Sequence, residues 1–379
     1  MDCIVTCAAI WNLNAVMLHN IHRFFTAFTL VFISTVAVSL AEEPTHQHEE
    51  KAEKFNIGEM IMHHISDAHE WEFAHGVAIS LPVILLDNGK LEVFSSSNFY
   101  HNPVAGHERV YKHGNYIMEH EHIYRAGADG EADKSGHVLD FSITKNVASL
   151  LLSAVLLILI FTSVAKGYVN NRGKAPKGIQ SFLEPIILFI RDEVIKPSIG
   201  VHYERYTPYL LTLFFFIAIN NLLGLIPGGA NLTGNIAVTL VLAIITFIIV
   251  HVNANKHYYL HLIKPTGVPV ALLPIMIPVE IIGVFMKPFS LMIRLFANIT
   301  AGHIIILSLL GLIFIARNLG GAGTGLAVSP LVIIFTLFMN TIELLVAFLQ
   351  AFIFTLLTSM YIGSAIEESH EADHGHWEV

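Results

Sequence analysis

The sequence predicts an all-α polytopic membrane protein with five transmembrane helices, of which the last two are long, strongly tilted and paired as a hairpin. Two observations predict this class. Of the 379 residues, 54% are hydrophobic and only 13% are charged, which is too apolar for an ordinary soluble protein of this length. Long runs without Asp, Glu, Lys or Arg also recur after residue 145, and such runs are long enough to cross a bilayer. An amphipathic interfacial helix and a small exported N-terminal domain complete the prediction.

Composition and charge exclude several classes of protein. The formal net charge is −9, and no basic stripe with interleaved aromatic residues is present, so we expect no nucleic acid partner. Cys3 and Cys7 are the only cysteines, which excludes a disulfide framework or a Cys-based zinc site from the body of the protein. We expect no cofactor.

Residues 1–41 have the order of residue types found in a secretory signal peptide. Arg23 precedes an apolar run at 24–41 that ends in small residues before Glu42. We expect cleavage after residue 41, and Met17 is a more usual start for a signal than Met1. The alternative is an uncleaved membrane anchor, although the apolar run is near the short end for a span.

Residues 42–145 are predicted to form a His-rich extracytoplasmic extension, because they are polar and hold twelve of the 22 histidines. Strand-like runs at Val77–Leu86 and Lys90–Phe94 flank the turn signal Asp87-Asn88-Gly89, which predicts a hairpin. The pairs His63-His64 and His120-Glu121-His122 suggest a metal site. However, neither HExxH nor another fixed ligand spacing is present, so we expect no bound metal and a polar, pH-responsive surface instead.

The membrane domain is predicted at 146–366, and an acidic cytoplasmic tail at 367–379. The predicted spans lie at about 146–165, 208–227, 235–252, 268–315 and 330–366. The segment between the first two spans is the densest in Lys and Arg, which places it in the cytoplasm. The N-terminal domain is then extracytoplasmic and the C-terminus cytoplasmic. Within this segment, Ile179–Ile195 has the helical spacing of an amphipathic interfacial helix.

Polar residues mark the predicted outer turn between the second and third spans, where Pro227-Gly228-Gly229 offers the only good place for the chain to reverse. They are either helix caps and interhelical hydrogen-bonding groups or the lining of a polar entrance. These residues are Asn220, Asn221, Asn231, Thr233 and Asn235.

The last two apolar stretches are too long to cross a membrane upright. Val268–Ile315 would form a helix of about 70 Å, against a hydrocarbon core of about 30 Å. It either breaks near Pro274, Pro278 or Pro288, or lies strongly tilted. A glycine-rich outer turn is expected at Asn318–Ser329, before the last helix.

Charged residues recur on one side of the first long helix. Glu280, Lys287 and Arg294 are seven residues apart and fall on one stripe, which Ser290, Asn298 and Ala301 join. An arginine within a membrane costs about 2.5–3.5 kcal/mol on insertion scales, so it usually faces a protein interior or a water path. His303 lies on the opposite side of the helix, and its imidazole can gain and lose a proton near neutral pH.

On the last helix, Asn340, Glu343, Ala347 and Gln350 share a face. Glu343 and His303 could therefore form a proton relay between antiparallel neighbours. The alternatives are an Arg294–Glu343 salt bridge that holds the hairpin together, a His303 that is simply a hydrogen-bonded core residue, and a Lys287 that snorkels to the membrane interface.

Two motifs in these long helices resemble those of subunit a of the F-type ATP synthase. The first is RLFAN at 294–298, followed by Ala301 and Gly302, and the second is LQAFIF at 349–354, followed by Tyr361. The resemblance extends over about 140–366, and the two motifs at this separation are highly specific. It implies a non-catalytic, proton-translocating stator subunit in the cell inner membrane. The implied partners are the c-subunit ring, subunit b and the F1 head.

In that family the arginine faces the rotating ring and prevents protons from short-circuiting between two offset half-channels. The resemblance implies this role for Arg294, with Asn298 and Gln350 beside it at the ring interface and Glu280 in an access path. In many bacterial members a glutamate stands at the position of His303 and a histidine at that of Glu343. Here the two are exchanged, as in mitochondrial members, which supports treating them as a pair.

A secondary ion-coupled transporter is the alternative function, since such proteins also carry intramembrane charges and broken helices. Inverted repeats would favour it, but the chain holds no second copy of the Arg294 segment. The extension at 42–145 has no counterpart in the minimal pattern of the resembled family.

Overall fold

A computed structural model of the chain describes most of the residues after the predicted signal. The described residues are 58, 61, 65–74, 77–100, 110–127, 131–134, 138–170, 175–226, 228–263 and 272–366. The predicted signal peptide with its cleavage site, the pair His63-His64 and the predicted tail at 367–379 lie outside them. By backbone contacts, residues 163–170 and 175–185 belong to one compact unit and the other described residues to a second.

Short antiparallel strands make up the described part of the N-terminal extension, which we call the β domain (residues 65–140). Three sheets have the orders β1-β2, β4-β3-β9 and β5-β6-β7-β8. The strands are β1 (Glu70–Ala74), β2 (Val77–Ser80), β3 (Pro82–Asp87), β4 (Lys90–Ser95), β5 (Val110–His113), β6 (Tyr116–Glu119), β7 (His122–Ala126), β8 (Ala132–Asp133) and β9 (Leu139–Asp140).

The predicted hairpin is present as β3–β4. Asp87 pairs with Lys90, and Asn88 and Gly89 between them have φ of 49° and 77°, as a two-residue turn of this kind requires. The predicted strand run Val77–Leu86 is divided at Leu81, whose amide donates to His69 O. The small core includes Val83, Leu85, Phe99, Tyr116, Met118 and Ile123, with Phe99 on the single-turn helix α1 (Ser97–Tyr100).

Helices form the rest of the described chain. They are α2 (Lys145–Asn170), α3 (Ile179–Phe189), a π-helical stretch (Ile190–Ile195), α4 (Lys196–Ile199), α5 (Tyr203–Leu225), α6 (Ile236–Val252), α7 (Lys256–Ile263), α8 (Leu273–Gly320) and α9 (Ala322–Ile366). Four helical stretches are long and apolar enough to cross a membrane, or five if α6 and α7, which meet at 101°, count as one broken span. The chain is therefore a mainly helical, multi-pass membrane protein.

In the smaller unit, the end of α2 approaches the start of α3. A Cβ on Gly167 would lie 2.8 Å from Gln180 Oε1, so the glycine permits this approach. The predicted amphipathic segment Ile179–Ile195 is helical along its length. Its location at the membrane interface stays a prediction.

The two long helices α8 and α9 pack against each other more extensively than any other pair of described elements. α8 is continuous through Pro278 and Pro288, so the expected break at a proline does not occur. At about 1.5 Å per residue, its 48 residues span about 72 Å. A helix of this length crosses a bilayer only if it is tilted, which is the remaining one of the two alternatives.

The turn between α8 and α9 is much shorter than the predicted Asn318–Ser329. Only Gly321 separates the helices, with φ of 81°, a conformation that glycine adopts without a steric penalty. Thr324 Oγ1 donates to Ala316 O (2.7 Å) and so ties the two helix ends together. The other glycines of this stretch remain helical, and the glycine-rich composition therefore overstated the length of the turn.

In the last described turn of α9, two backbone carbonyls accept hydrogen bonds from Asn255. Its backbone amide donates to Ala365 O (2.9 Å) and its side-chain amide to Ile366 O (2.7 Å). Asn255 therefore links the segment after α6 to the last described turn of α9.

Candidate functional site

The two long helices bring a histidine and a glutamate together. His303 lies on α8 and Glu343 on α9, and His303 Nε2 is 3.7 Å from Glu343 Oε1. The side chains are 13% and 4% exposed. Helical periodicity predicted that these residues could meet across antiparallel neighbours, and the structure places them side by side.

Glu343 is a buried carboxyl group with unused bonding capacity. Neither of its oxygens has a hydrogen-bond partner among the described residues. The predicted face of α9 is buried as a whole, because Asn340, Ala347 and Gln350 are at most 5% exposed. Burying a carboxyl group without a hydrogen-bond partner is costly, so Glu343 is a candidate functional group.

Gly302 makes room for this carboxyl group. A Cβ on Gly302 would lie 2.6 Å from Glu343 Oε1, closer than carbon and oxygen can approach without a shift. The sequence placed Gly302 in a motif but gave no reason for a glycine at this position. The reason lies on the facing helix and could be found only from the packing.

Arg294 lies about two and a half turns before His303 on α8 and is partly buried. Its guanidinium donates one long hydrogen bond, Nη2 to Ser290 Oγ at 3.5 Å. Among the described residues it forms no ion pair, so the alternative of an Arg294–Glu343 salt bridge is not what the structure shows. Asn298, one turn further along the same stripe, is exposed.

The other predicted site residues are spread along the hairpin. Glu280 is partly buried near the start of α8, about 21 Å from Arg294 along the helix axis. Gln350 is buried on α9, two turns after Glu343. Lys287 Nζ stands 5.3 Å from the centre of the Tyr361 ring, within the range of a cation–π contact, which links the first long helix to the second motif.

A network of short polar residues joins the two long helices to the α5–α6 connection. The sequence indicated Asn221, Asn231, Thr233 and Asn235 without their partners, and it did not indicate Thr300. Asn221 Nδ2 donates to Ala347 O of α9 (2.9 Å), and Thr233 Oγ1 donates to Asn221 Oδ1 (2.6 Å). Thr300 Oγ1 of α8 donates to Gly234 O (3.3 Å). Asn231 and Asn235 cap the short helical turn and α6, as one of the two alternatives for these residues predicted.

The β domain holds a second cluster of histidine and carboxylates. His69 is 3% exposed, and its Nδ1 and Nε2 lie 3.4 Å from Glu121 Oε2 and 3.3 Å from Asp140 Oδ2. Burial opposes the charge on the ring, but the hydrogen bonds to Asp140 and Glu121 outweigh it and raise the pKa of His69 to about 9. Burial of Glu121 is likewise outweighed by its bonds from His69 and Tyr100, which lower the pKa of this carboxyl group.

This cluster explains the motif His120-Glu121-His122. His120 and Glu121 both have positive φ, 50° and 67°, in the turn between β6 and β7. The turn directs the Glu121 carboxylate toward His69, whereas His120 and His122 are exposed. The three side chains therefore do not converge on a common point.

Comparison with known proteins assigns the two parts of the chain separately. The sequence model of the family described as "ATP synthase A chain" matches residues 147–363. A second model, described as a domain of unknown function, matches residues 60–141, which is nearly the extent of the β domain.

Several curated relatives carry the name ATP synthase subunit a. The protein of Chloroherpeton thalassium is 45% identical over 243 residues, which is 62% of this chain and 71% of the relative. "ATP synthase subunit a 2" of Chlorobium luteolum is 38% identical over 347 residues, 90% of this chain and 85% of the relative. The protein of Anaeromyxobacter dehalogenans is 38% identical over 309 residues, 73% and 77% of the two chains.

The matched family model covers more than half of the chain and includes both long helices, with Arg294, His303 and Glu343. The longest of these relatives' alignments also reaches into the β domain. The chain therefore belongs to the ATP synthase subunit a family.

Proposed function

We propose that Arg294 is the fixed cation that faces the c-subunit ring, and that His303 and Glu343 form a proton-exchange site in one of two half-channels. Family membership makes the chain the proton-channel subunit of the membrane sector of an ATP synthase. The proposed partners are the c-subunit ring, subunit b and the F1 head, and the proposed role is non-catalytic. Glu280, Asn298 and Gln350 complete the proposed path.

The proposal rests on one observation: among the described residues, the guanidinium of Arg294 has no carboxylate partner. Arg294 cannot lose its proton, and within the described residues it has only the long bond to Ser290. A permanent charge in an apolar helix is stabilised by an opposite charge or by water. A carboxylate of a neighbouring chain supplies such a partner, and rotation of the ring brings each c-subunit carboxylate to Arg294 and takes it away again.

The charge of Arg294 explains how rotation is coupled to proton flow. A c-subunit carboxylate beside it is held in its ionised form, because an opposite fixed charge favours that form. Only a carboxylate that has accepted a proton can leave for the lipid-facing side. Two half-channels that open on opposite faces of the membrane then make the proton gradient select the direction of rotation.

The His303–Glu343 pair suits proton exchange because its groups are near each other but not locked. A separation of 3.7 Å is longer than a hydrogen bond. Glu343 can therefore release or accept a proton without breaking a strong contact. We place this pair on the route that opens toward the side of the β domain, because the loop that contacts the β domain accepts a hydrogen bond from α8 and is linked to α9 through Asn221 of α5.

The proposed orientation has an extracytoplasmic β domain and a cytoplasmic C-terminus. The Lys- and Arg-rich segment between the first two spans supports it through the positive-inside rule. The same orientation puts the β domain and the α5–α6 connection on one side and the end of α9 on the other.

Replacing Arg294 tests the proposal. In the reconstituted synthase, Arg294→Ala is expected to abolish ATP synthesis driven by a proton gradient, whereas ATP hydrolysis by the detached head should continue. Arg317→Ala is the matched control, because Arg317 lies exposed in the last turn of the same helix, and it should leave synthesis near the unmodified rate. Gradient-driven synthesis by an assembled Arg294→Ala complex would overturn the assignment.

A further inference from the structure

One short segment connects the β domain to the helices. We call residues 66–71 the strap. Lys145, the first residue of α2, donates from its backbone amide to Ala68 O (2.8 Å) and from Nζ to Ser66 O (3.1 Å). Asp67 Oδ1 accepts from the amide of Asn146 (3.0 Å). The strap thus satisfies amide donors at the start of α2 that have no partner within the helix.

The centre of the strap is anchored in the β domain. His69 is bound between Glu121 and Asp140, and its backbone amide also donates to Glu121 Oε2 (3.2 Å). Tyr100 OH donates to the same carboxylate (3.0 Å). His69 is buried, and Glu121 and Tyr100 are partly buried, so the strap cannot shift without breaking several hydrogen bonds in poorly solvated surroundings.

The end of the strap reaches the connection between α5 and α6. Trp71 Nε1 donates to Gly228 O at 2.7 Å, a short bond between residues 157 positions apart in sequence. Gly228 has φ of 75°. A Cβ on the next residue, Gly229, would overlap the carbonyl oxygens of α5. The loop is therefore tightly folded at the point where Trp71 holds it.

The far end of the same loop hydrogen bonds to α8 directly and is linked to α9 through Asn221 of α5, beside the proposed proton site. Gly234 O accepts from Thr300, which lies three residues before His303. Through Asn221, Thr233 is joined to Ala347 O, one turn after Glu343. Loop 228–235 thus lies between Trp71 on one side and the backbones that carry His303 and Glu343 on the other.

We propose that Trp71 is a positioning residue for proton transfer: by holding loop 228–235, it fixes the separation of His303 and Glu343. The β domain is then a brace for the proton path and not an independent appendage. This inference rests on the proposed function, since it takes His303 and Glu343 as the proton-exchange site. It assigns a role to residues 65–140, for which the matching family model supplies none.

The test uses Trp71→Phe in the reconstituted synthase, because this change keeps an aromatic ring and removes only the N–H donor and part of the indole. Tyr124→Phe is the matched control, because it removes a polar group from the same domain. The Tyr124 ring contacts Lys134, which also belongs to the β domain. The first measurement is hydrogen exchange of the amides of loop 228–235. Loss of the bond is expected to speed their exchange by roughly fivefold, with no change in the control.

The second measurement is the rate of ATP synthesis after an acid–base transition, at several pH values on the β-domain side and a constant driving force. Trp71→Phe should lower the rate by about threefold and shift the pH of half-maximal rate, because the distance between two titrating groups changes the proton affinity of each. A lower rate with an unchanged pH profile would overturn the proposal, since a merely structural role predicts that result. Unchanged exchange of the loop would also overturn it.

Thr300→Val is a second variant that tests the proposal if the Trp71 variant fails to assemble. It removes the hydrogen bond from α8 to Gly234 O of the loop. It should produce the same direction of pH shift, and the double variant should lose little more than the larger single one, because both interrupt one path. Strictly additive losses would overturn the proposal. The hydrogen-exchange result does not depend on Arg294, so failure of the Arg294→Ala test and failure of this one are distinguishable.

Discussion

Two sites in this protein each bring a histidine next to carboxyl groups, but the carboxyl groups differ in how many hydrogen bonds they accept. In the β domain, His69 contacts two carboxylates, and Glu121 also accepts from Tyr100 and from a backbone amide. In the hairpin of α8 and α9, Glu343 has no hydrogen bond to the described residues, and His303 stands 3.7 Å away. The carboxylates of the first site are held by several donors, whereas the carboxyl group of the second has none among the described residues.

The number of ring N–H groups explains the difference. A neutral imidazole has one N–H and cannot donate to two carboxylates at once, whereas the protonated ring donates from both nitrogens. His69 between Glu121 and Asp140 is therefore held in its charged form. Among the described carboxyl groups, Glu343 lies 3.7 Å from His303 Nε2, and under the proposed function one proton is exchanged between the two while both residues stay in place.

The largest effect expected at these two sites comes from removing one member of the hairpin pair. Glu343→Ala or His303→Ala alone should reduce proton-driven ATP synthesis by at least about tenfold, as removal of a positioned proton-transfer group does. The double exchange His303→Glu with Glu343→His keeps one acid and one imidazole at the same separation and should recover more activity than either alanine variant. Synthesis rates of the reconstituted complex measure this.

Thr341→Val is the control for that experiment, because Thr341 is exposed on the opposite face of the same turn of α9. It should leave the rate nearly unchanged. If the losses from the two alanine variants add independently in the double variant, the residues do not act as a pair.

At the cluster around His69, a substitution should instead lower the stability of the β domain. Removing the ring in His69→Ala takes away the cation that Glu121 and Asp140 share and leaves them only neutral donors, and breaking a buried charged network costs about 3–5 kcal/mol. The β domain should therefore unfold at a markedly lower temperature. His122→Ala, at an exposed site of the neighbouring strand, should change stability by no more than about 0.5 kcal/mol.

Trp71 fluorescence can follow this unfolding in the full chain if Trp11 and Trp377, the other two tryptophans, are replaced by Phe. Equal melting of the His69 and His122 variants would show that the cluster around His69 does not stabilise the domain, and the contrast between the two sites would then fail.

A dependence on pH should distinguish the two sites as well. The pKa of His69 is raised on folding from 6.5 to about 9, so the stabilisation from its charge is complete below pH 6.5 and is lost as the pH rises through 9. A shift of this size corresponds to about 3 kcal/mol. Glu121 and Asp140 have lowered pKa values, so their contribution is present above their ordinary values and is lost as the medium becomes more acidic.

The same fluorescence measurement between pH 5 and pH 10 tests this expectation. His69→Gln, which cannot be protonated, should remove the decline of melting temperature on the alkaline side. A decline of equal steepness in the unmodified chain and the Gln variant would assign it to other groups.

The two sites also differ in how far the sequence revealed them. His303 and Glu343 could be paired from helical periodicity, because each lies on one face of a long regular helix and the helices were predicted to be antiparallel neighbours. The cluster around His69 could not, since its members are 52 and 71 residues apart and are joined by turns of a small β fold. Periodicity carries no information on such contacts.

Turns were also predicted only in part from the sequence. Asn88-Gly89 was recognised because a two-residue hairpin turn requires that chemistry. In contrast, the stretch after Asn318 contains several glycines, and only Gly321 adopts a positive φ. Which glycine turns depends on where α8 and α9 pack against each other, a property of both helices together. The position of Trp71 against Gly228 is likewise decided by tertiary packing.

The smallest expected effect concerns the space around Glu343. A methyl group at Gly302 would lie 2.6 Å from Glu343 Oε1 and must displace the carboxyl group by a fraction of an ångström, whereas a methyl group at Gly283 of the same helix would meet no atom within 4 Å. Since alanine favours a helix over glycine by about 1 kcal/mol, Gly283→Ala should keep the stability unchanged or raise it slightly, and it should leave the synthesis rate intact.

Gly302→Ala should retain assembly and lower the rate by about threefold to tenfold, the cost of a misplaced proton-transfer group. Comparing the two variants by rate and by melting temperature separates the fit of Glu343 from helix propensity, and equal rates would mean that the unsatisfied carboxyl group tolerates displacement and that its position is not what proton transfer requires.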